Sequence, residues 1–162
     1  MSVLDDAIGL EERAEKYYSE ARVQVRDPSA KKILELLAAE EHKHAAALRA
    51  MKSGEDADLK APSLLKQVRG LVEGAASDGR TSISTDATMR DILQRAMEIE
   101  QTTEQFYREH AHAADEQRLR ELFDRLAAQE AEHYLLVSSL AEYFDRPAEW
   151  VESAEFGLRP EY

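Results

Sequence analysis

The sequence predicts an all-α fold, a four-helix bundle built from two similar helix pairs. Apolar residues recur at steps of three and four along four long segments, which is typical of amphipathic helices. Proline and glycine, which interrupt helices, number only 4 and 6 in 162 residues. Residues 7–50 also align without a gap with residues 96–139, a shift of 89 positions that gives ten identities in 44 pairs. Two such pairs packed face to face form a bundle with a pseudo-twofold axis.

Composition and charge exclude several classes of protein. The net charge of −12 leaves no basic surface of the kind that binds nucleic acids. The absence of cysteine excludes disulfides, thiolate zinc sites and iron–sulfur clusters. No stretch approaches the roughly 20 apolar residues of a membrane span, and the N-terminal segment lacks a secretion signal. We therefore expect one soluble, cytoplasmic domain of ordinary size that binds neither nucleic acid nor membrane.

The first two helices follow from their apolar stripes and from the turn between them. The interior positions of the first helix fall within residues 4–25, and those of the second fall within residues 30–51. Between them, Asp27 is suited to cap a helix and Pro28 to occupy its first turn. This dipeptide predicts a short turn between antiparallel helices.

A long crossover separates the second helix from the third. Residues 53–85 hold four of the six glycines, and they predict a connection with one short helix near residues 63–72. A connection of this length can carry the chain from one end of a bundle to the other. Helices two and three are therefore expected to run parallel.

The third and fourth helices repeat the pattern of the first two. Asp86 is a candidate cap for the third helix, whose interior positions fall within residues 92–107. The interior positions of the fourth helix fall within residues 119–144. The bundle is thus expected to occupy residues 1–146.

A short tail follows the predicted bundle. Residues 147–162 hold the only tryptophan, Trp150, together with Phe156. These aromatic side chains offer apolar surface beyond the last helix. We predict that the tail packs on the bundle or on the partner in a homodimer.

Six ionisable residues occupy stripe positions that should face the interior of the bundle. Burying an unpaired carboxylate is costly, and four together would repel one another. Two divalent cations would supply four positive charges against four carboxylates, with one imidazole for each ion. Known carboxylate bundles hold two iron or manganese ions with the same ligand set, and zinc is also possible. The predicted metal ligands are Glu11, Glu41, His44, Glu100, Glu130 and His133.

A single Glu-x-x-His spacing is weak evidence for a metal site, since Glu109 and His112 have it too. Nine residues separate Glu109 from Glu100, which is about 900° of helical rotation and places Glu109 on the outer face. The two predicted ligand pairs instead agree in phase with their stripes, and both follow Leu-Ala-Ala. The repeated pattern is therefore the specific signal.

Other polar residues lie near the predicted ligands. Tyr18 and Tyr107 share the ligands' face, and two interpretations stay open for both. Each tyrosine fills the core, or its hydroxyl binds a ligand carboxylate. The remaining polar neighbours lie off the stripes, and we expect them to be solvated or without a role in the site: Glu12, Glu15, Glu40, Glu104, His42 and His110.

At these residues the sequence resembles the rubrerythrin branch of the ferritin-like superfamily. The matching elements are Glu11-x-x-Ala14-x-x-Tyr17-Tyr18, Leu37-Ala38-x-x-Glu41-x-x-His44, Glu100-x-x-Thr103-x-x-Phe106-Tyr107 and Leu126-Ala127-x-x-Glu130-x-x-His133. The resemblance covers the four helices and implies a ferritin-like bundle with two irons. It also implies that the first glutamate of each half is a terminal ligand, that the glutamate of each Glu-x-x-His pair bridges the metals, and that each histidine binds one metal.

Two departures from that family bear on function. Rubrerythrins carry a rubredoxin-like domain whose iron is held by four cysteines, and this sequence has no cysteine. Electrons are therefore expected from a separate donor protein or a small reductant. Rubrerythrins also place an extra glutamate three residues after the first ligand of the third helix, where this sequence has Thr103. The remaining ligand set is shared with bacterioferritins and with quinone and transfer-RNA hydroxylases.

The leading hypothesis is a di-iron oxidoreductase that reduces hydrogen peroxide or dioxygen. Oxidation of ferrous iron, linked to iron handling or storage, is the first alternative. Hydroxylation of an organic substrate is the second. A non-enzymatic bundle with structural metals is disfavoured, because apolar residues stabilise a bundle better than buried carboxylates do.

Overall fold

The computed structural model of the protein describes residues 2–59, 64–77 and 87–145. Within these ranges the chain forms five α-helices and no strand, which confirms the all-α bundle. No helix in the described ranges is both long and apolar enough to cross a membrane. The helices are α1 (Val3–Gln24), α2 (Pro28–Lys52), α3 (Leu64–Ser77), α4 (Ala87–Ala113) and α5 (Gln117–Asp145).

The start of each helix in the first pair is fixed by a local cap. Ser2 and Asp5 form a capping box at the start of α1, each side chain binding the backbone of the other residue. The Asp27 carboxylate accepts a hydrogen bond from the backbone N–H of Ala30 at 2.8 Å, and Pro28 occupies the first turn of α2. The predicted helix start is therefore confirmed. Asp86, the predicted cap of α4, lies outside the described residues.

The helices associate as two pairs. Short turns join α1 to α2 and α4 to α5, and the closest packing is within these two pairs. The N-terminal halves of α2 and α4 share one apolar cluster, so these two helices point in the same direction. The prediction that the crossover makes these two helices run parallel is therefore confirmed. Its helix, α3, begins near the predicted start, continues to Ser77 and packs against α2 and α5.

Two apolar clusters fill opposite ends of the bundle. The α3-side cluster includes Leu37 and Leu93, together with Val68 from α3 itself. The distal cluster includes Leu126 and Phe123. Burial of a side chain of this size contributes about 1.5–3 kcal/mol, so both ends hold the four long helices together. The polar residues predicted to bind metal lie between the two clusters.

The tail, residues 147–162, lies outside the described part of the chain. The predictions for Trp150 and Phe156, and with them the homodimer contact, stay predictions.

Candidate metal centre

All six predicted ligands come together in the middle of the bundle. Their exposed fractions are between 0% and 2%. They form two overlapping groups, and within each group one ligand atom from every residue lies within 4.8 Å of the others. One group is Glu11, Glu41, His44 and Glu130, and the other is Glu41, Glu100, Glu130 and His133. Two glutamates belong to both groups, which is the arrangement that a pair of ions with shared carboxylates requires.

Each histidine turns its Nδ1 atom toward three carboxylates. His44 Nδ1 lies 2.8 Å from Glu130 Oε1, 3.2 Å from Glu41 Oε2 and 3.6 Å from Glu11 Oε2. His133 Nδ1 lies between 3.1 and 3.6 Å from its own three carboxylates. The two rings are nearly parallel, with centroids 5.4 Å apart. The centre thus has the same pseudo-twofold symmetry as the helices.

Five of these buried atoms have no hydrogen-bond partner among the described residues. They are Oε2 of Glu11, Glu41 and Glu100, Oε1 of Glu130 and Nδ1 of His44. A buried polar atom without a partner costs about 1–3 kcal/mol, so five at one point call for a ligand. Convergent carboxylate and imidazole lone pairs fit divalent iron or manganese, and a zinc ion accepts the same donors. The residues therefore fit a pair of divalent cations.

In the metal-free centre the pKa values of the two outer carboxyls, Glu11 and Glu100, shift in the opposite direction to those of the two shared carboxyls, Glu41 and Glu130. Burial and the charges of Glu130 and Glu41 raise the pKa of the Glu11 and Glu100 carboxyls well above the usual value. Burial also opposes ionisation of Glu41 and Glu130, but the neighbouring imidazoles outweigh it and lower the pKa of both carboxyls. The two shared carboxylates stay ionised while the outer ones tend to hold protons.

The pKa values of the two histidines are raised, whereas the pKa of an ordinary buried histidine is lowered. Burial alone lowers a histidine pKa, but Glu130 and Glu11 outweigh it and raise the pKa of His44. Glu41 and Glu100 raise the pKa of His133 in the same way. Without metal, protons on the imidazoles and outer carboxyls thus neutralise the centre. Metal ions must displace these protons to bind.

Two buried tyrosines hold the outer carboxylates across the bundle. The Tyr18 hydroxyl on α1 donates a hydrogen bond to Glu100 on α4, and the Tyr107 hydroxyl on α4 donates one to Glu11 on α1. Burial and the facing carboxylates raise the pKa of both phenols, so the hydroxyls keep their protons and remain donors. The sequence left two interpretations open for each tyrosine, filling of the core or binding of a ligand carboxylate. In the structure each tyrosine does both.

Glu40 and Gln129 are two further residues at the centre, and the sequence analysis missed both. His44 Nε2 donates a hydrogen bond to Gln129 Oε1 at 2.6 Å, because an amide oxygen can only accept. The other ring nitrogen, Nδ1, is therefore left free for a metal. The repeat pairs Gln129 with Glu40, whose carboxylate lies within 4.8 Å of ring nitrogens of His44 and His133. The expectation that Glu40 is solvated was wrong, since it is 4% exposed.

The position of Glu40 has a simple geometric cause. It precedes His44 by four residues, about 400° of rotation, so it lies beside the histidine on the side turned toward α5. Lys43, one turn farther along α2, donates to the Glu40 carboxylate at 2.7 Å. The signal in the sequence was that the 89-residue shift pairs two polar residues, Glu40 and Gln129, just before the two ligand glutamates.

The other polar neighbours lie outside the centre, as expected. Glu109 is exposed and accepts a hydrogen bond from Gln105, so the false Glu-x-x-His motif is not part of the centre. His42 pairs with Glu15, and His110 Nδ1 donates a hydrogen bond to the backbone oxygen of Phe106. Glu12 and Glu104 pair with arginines of the bundle surface.

Thr103 is buried, 3% exposed, and carries a hydroxyl instead of a carboxylate. Its hydroxyl donates to the backbone oxygen of Ile99, one turn back on α4, at 2.9 Å. That bond is internal to the helix. The position where the resemblance implies an extra carboxylate therefore has none, and the hydroxyl proton found there is already donated within the helix.

The family model named Rubrerythrin matches residues 2–141, which include all four bundle helices apart from the last turn of α5. Comparisons with curated proteins and with solved structures give no match.

Proposed function

The chain belongs to the rubrerythrin family, and from this premise we propose that it is a di-iron oxidoreductase that reduces hydrogen peroxide. One observation carries the proposal: four carboxylates and two imidazoles, all buried, form two overlapping groups that share Glu41 and Glu130. A site for a single ion does not need two shared carboxylates. A purely structural bundle does not need buried charge at all.

The proposed roles follow the two groups. Glu41 and Glu130 would be shared by the two ions, Glu11 and Glu100 would each hold one ion, and each histidine would bind one ion through Nδ1. Two ferrous ions held there would supply the two electrons that, with two protons, convert one hydrogen peroxide to two waters. Tyr18 and Tyr107 hold the terminal carboxylates in place by donated hydrogen bonds. The apolar clusters at both ends keep bulk water from the centre.

The electron source is proposed to be a separate protein. The sequence has no cysteine, so it cannot hold the cysteine-bound iron through which rubrerythrins receive electrons. The oxidised centre would then be reduced by a donor that docks on the bundle surface.

The proposal is tested by rapid-mixing oxidation of ferrous protein. Protein reconstituted without oxygen should hold about two irons per chain, as expected for a paired carboxylate site. Its oxidation by hydrogen peroxide should be faster than its oxidation by dioxygen. Faster reaction with dioxygen, together with uptake of many irons per chain, would instead assign ferrous-iron oxidation and iron storage.

A matched pair of double variants separates the centre from the other histidines. His44→Ala with His133→Ala should remove most bound iron, because each ion loses its only imidazole. His42→Ala with His110→Ala removes the same number of histidines outside the centre and should keep both irons. Equal iron content in the two double variants would overturn the ligand assignment.

A further inference from the structure

A pocket of about 300 Å³ lies between α1 and α4, beside the metal centre, and none of the six candidate ligands lines it. Most of its wall consists of residues that the 89-residue repeat pairs with one another. These pairs are Leu10 with Ile99, Arg13 with Thr102 and Ala14 with Thr103. The pocket therefore lies across the pseudo-twofold axis. Its paired lining residues have the same sequence spacing from Glu11 in the first half as from Glu100 in the second.

The inner end of the pocket is formed by two small buried residues. Ala14 and Thr103 are each 3% exposed. They follow Glu11 and Glu100 by three residues, less than one helical turn, which is a rise of about 4.5 Å along the helix axis. The Thr103 hydroxyl is bound to its own helix, so it presents no free donor there. A molecule in the pocket would lie next to the outer carboxylates.

The side of the pocket holds an aromatic ring in a fixed position. Tyr17 lines the pocket, and its hydroxyl donates to the backbone oxygen of Ile92 on α4 at 2.9 Å. Leu10 and Ile99 supply aliphatic surface beside it. An apolar molecule can therefore pack against a surface that is already arranged.

The outer end of the pocket carries one uncommitted cation. Arg95 lines the pocket but pairs with Glu98 at 2.9 Å. Arg13 is exposed and has no ion-pair partner in the part of the chain that the structure describes. A side chain at position 9 would lie 3.2 Å from Arg13 Nη1, so Gly9 leaves room for the guanidinium beside α1. In a chain with a net charge of −12, this arginine marks a local site for an anion.

We propose that this pocket binds a small organic carboxylate, with its apolar body between Leu10, Tyr17 and Ile99 and its carboxylate paired with Arg13. The volume is at the lower end of the range for small-molecule sites, which suits a molecule about the size of an aromatic acid. The proposal goes beyond peroxide reduction. It does not require the ions to be bound, since the pocket is lined by none of their ligands.

The test uses 4-fluorobenzoate as the probe and fluorine NMR of metal-free protein as the readout. Wild-type protein should bind 4-fluorobenzoate more tightly than its uncharged analogue 4-fluorobenzamide. Arg13→Gln should weaken fluorobenzoate binding about three- to tenfold, the range of one charge-assisted contact at a partly exposed site, and should abolish the preference. Arg22→Gln removes an exposed arginine from the same helix outside the pocket and should change neither.

Two further measurements locate the probe. Ala14→Leu should fill the inner end of the pocket and block binding, with circular dichroism to verify the helical fold. Manganese-loaded protein should broaden the fluorine signal more than zinc-loaded protein does, because the probe lies close to the paramagnetic ions. Equal binding of the acid and the amide to wild-type protein, or equal effects of Arg13→Gln and Arg22→Gln, would overturn the proposal. Failure to load manganese would count against the proposed metal centre and leave the metal-free titration to decide the pocket.

Discussion

The two halves of the bundle, α1–α2 and α4–α5, carry the same candidate ligands but differ in the residues behind them. His44 in the first half donates to the neutral amide of Gln129 at 2.6 Å. The residue that the repeat pairs with Gln129 is Glu40, a carboxylate that lies within 4.8 Å of ring nitrogens of both His44 and His133. A carboxylate near the imidazoles favours positive charge on them, whereas the neutral amide of Gln129 does not. The duplication therefore repeats the candidate ligands without making their surroundings equivalent.

The pocket shows the same contrast at a second place. Ala14 and Thr103 occupy paired positions, as do Arg13 and Thr102, and at the second pair only the first half has a cation. The tyrosines, in contrast, repeat completely, since each donates to the outer glutamate of the other half. Comparison of the halves thus separates what a paired metal centre needs twice from what can vary around it.

The largest expected effect is one that both halves share, the pH dependence of metal-free stability. Folding raises the pKa of His44, His133, Glu11 and Glu100, so the folded state binds more protons than the unfolded state. Stability from the histidines is complete below their unfolded pKa near 6.5 and is lost as pH rises through the folded value. The raised carboxyls act in the same direction above about pH 4.5. We expect the melting temperature of metal-free protein to fall steadily from pH 5 to pH 9.

Metal-loaded protein provides the control for this prediction. Bound cations replace the protons, so its melting temperature should exceed that of metal-free protein and change less between pH 6 and pH 9. Glu11→Gln and Glu100→Gln should each remove a similar part of the slope if the halves are electrostatically equivalent. A metal-free melting temperature that rises with pH over this interval would contradict the proton assignment.

A smaller effect should break the symmetry of the halves directly. Glu40→Gln places a neutral amide at both paired positions, 40 and 129, so the two ions should bind with more similar affinities. The tighter of the two sites should weaken by about 10- to 100-fold, the range for partners behind metal ligands. Calorimetric titration of metal-free protein with manganese measures both affinities. Glu35→Gln, which removes an exposed glutamate of α2, should leave both unchanged.

The reciprocal change strengthens this test. Gln129→Glu should tighten the site at His44 and again bring the two affinities closer together. If neither Glu40→Gln nor Gln129→Glu changes the ratio of the two affinities, the difference between the halves has no effect on metal binding.

The smallest expected effect is a loss of unfolding free energy when one of the two tyrosine–glutamate hydrogen bonds is removed. Tyr18→Phe and Tyr107→Phe each remove one hydrogen bond to an outer carboxylate and should cost about 1 kcal/mol of unfolding free energy in metal-free protein. Because the two bonds are equivalent by the pseudo-twofold axis, the two losses should agree. Urea unfolding measures them. Tyr17→Phe, which removes a partly buried hydroxyl bound to a backbone oxygen, gives a reference outside the centre.

Much of the fold and all six candidate ligands could be predicted from the sequence. Helical rotation of about 100° per residue fixes which side chains of one helix share a face, so the stripe phases placed glutamate and histidine in the interior. The same rotation placed Glu109 on the outside despite its Glu-x-x-His spacing, and the structure has it exposed. The 89-residue repeat supplied the pairing of helices. Asp27 and Pro28 predicted where α2 begins.

Contacts between helices were decided only by the tertiary structure. Gln129 meets His44, and Tyr107 meets Glu11, across 85 and 96 residues of chain. Periodicity gives the direction of a side chain about its own helix axis, but not the rotation and height at which a neighbouring helix packs against it. A shift of one helical turn between α2 and α5 would expose Glu40 to solvent instead of placing it near the two histidines. The candidate ligand set is thus a property of the sequence pattern, while the partners of these residues and the pocket between α1 and α4 arise from how four helices pack.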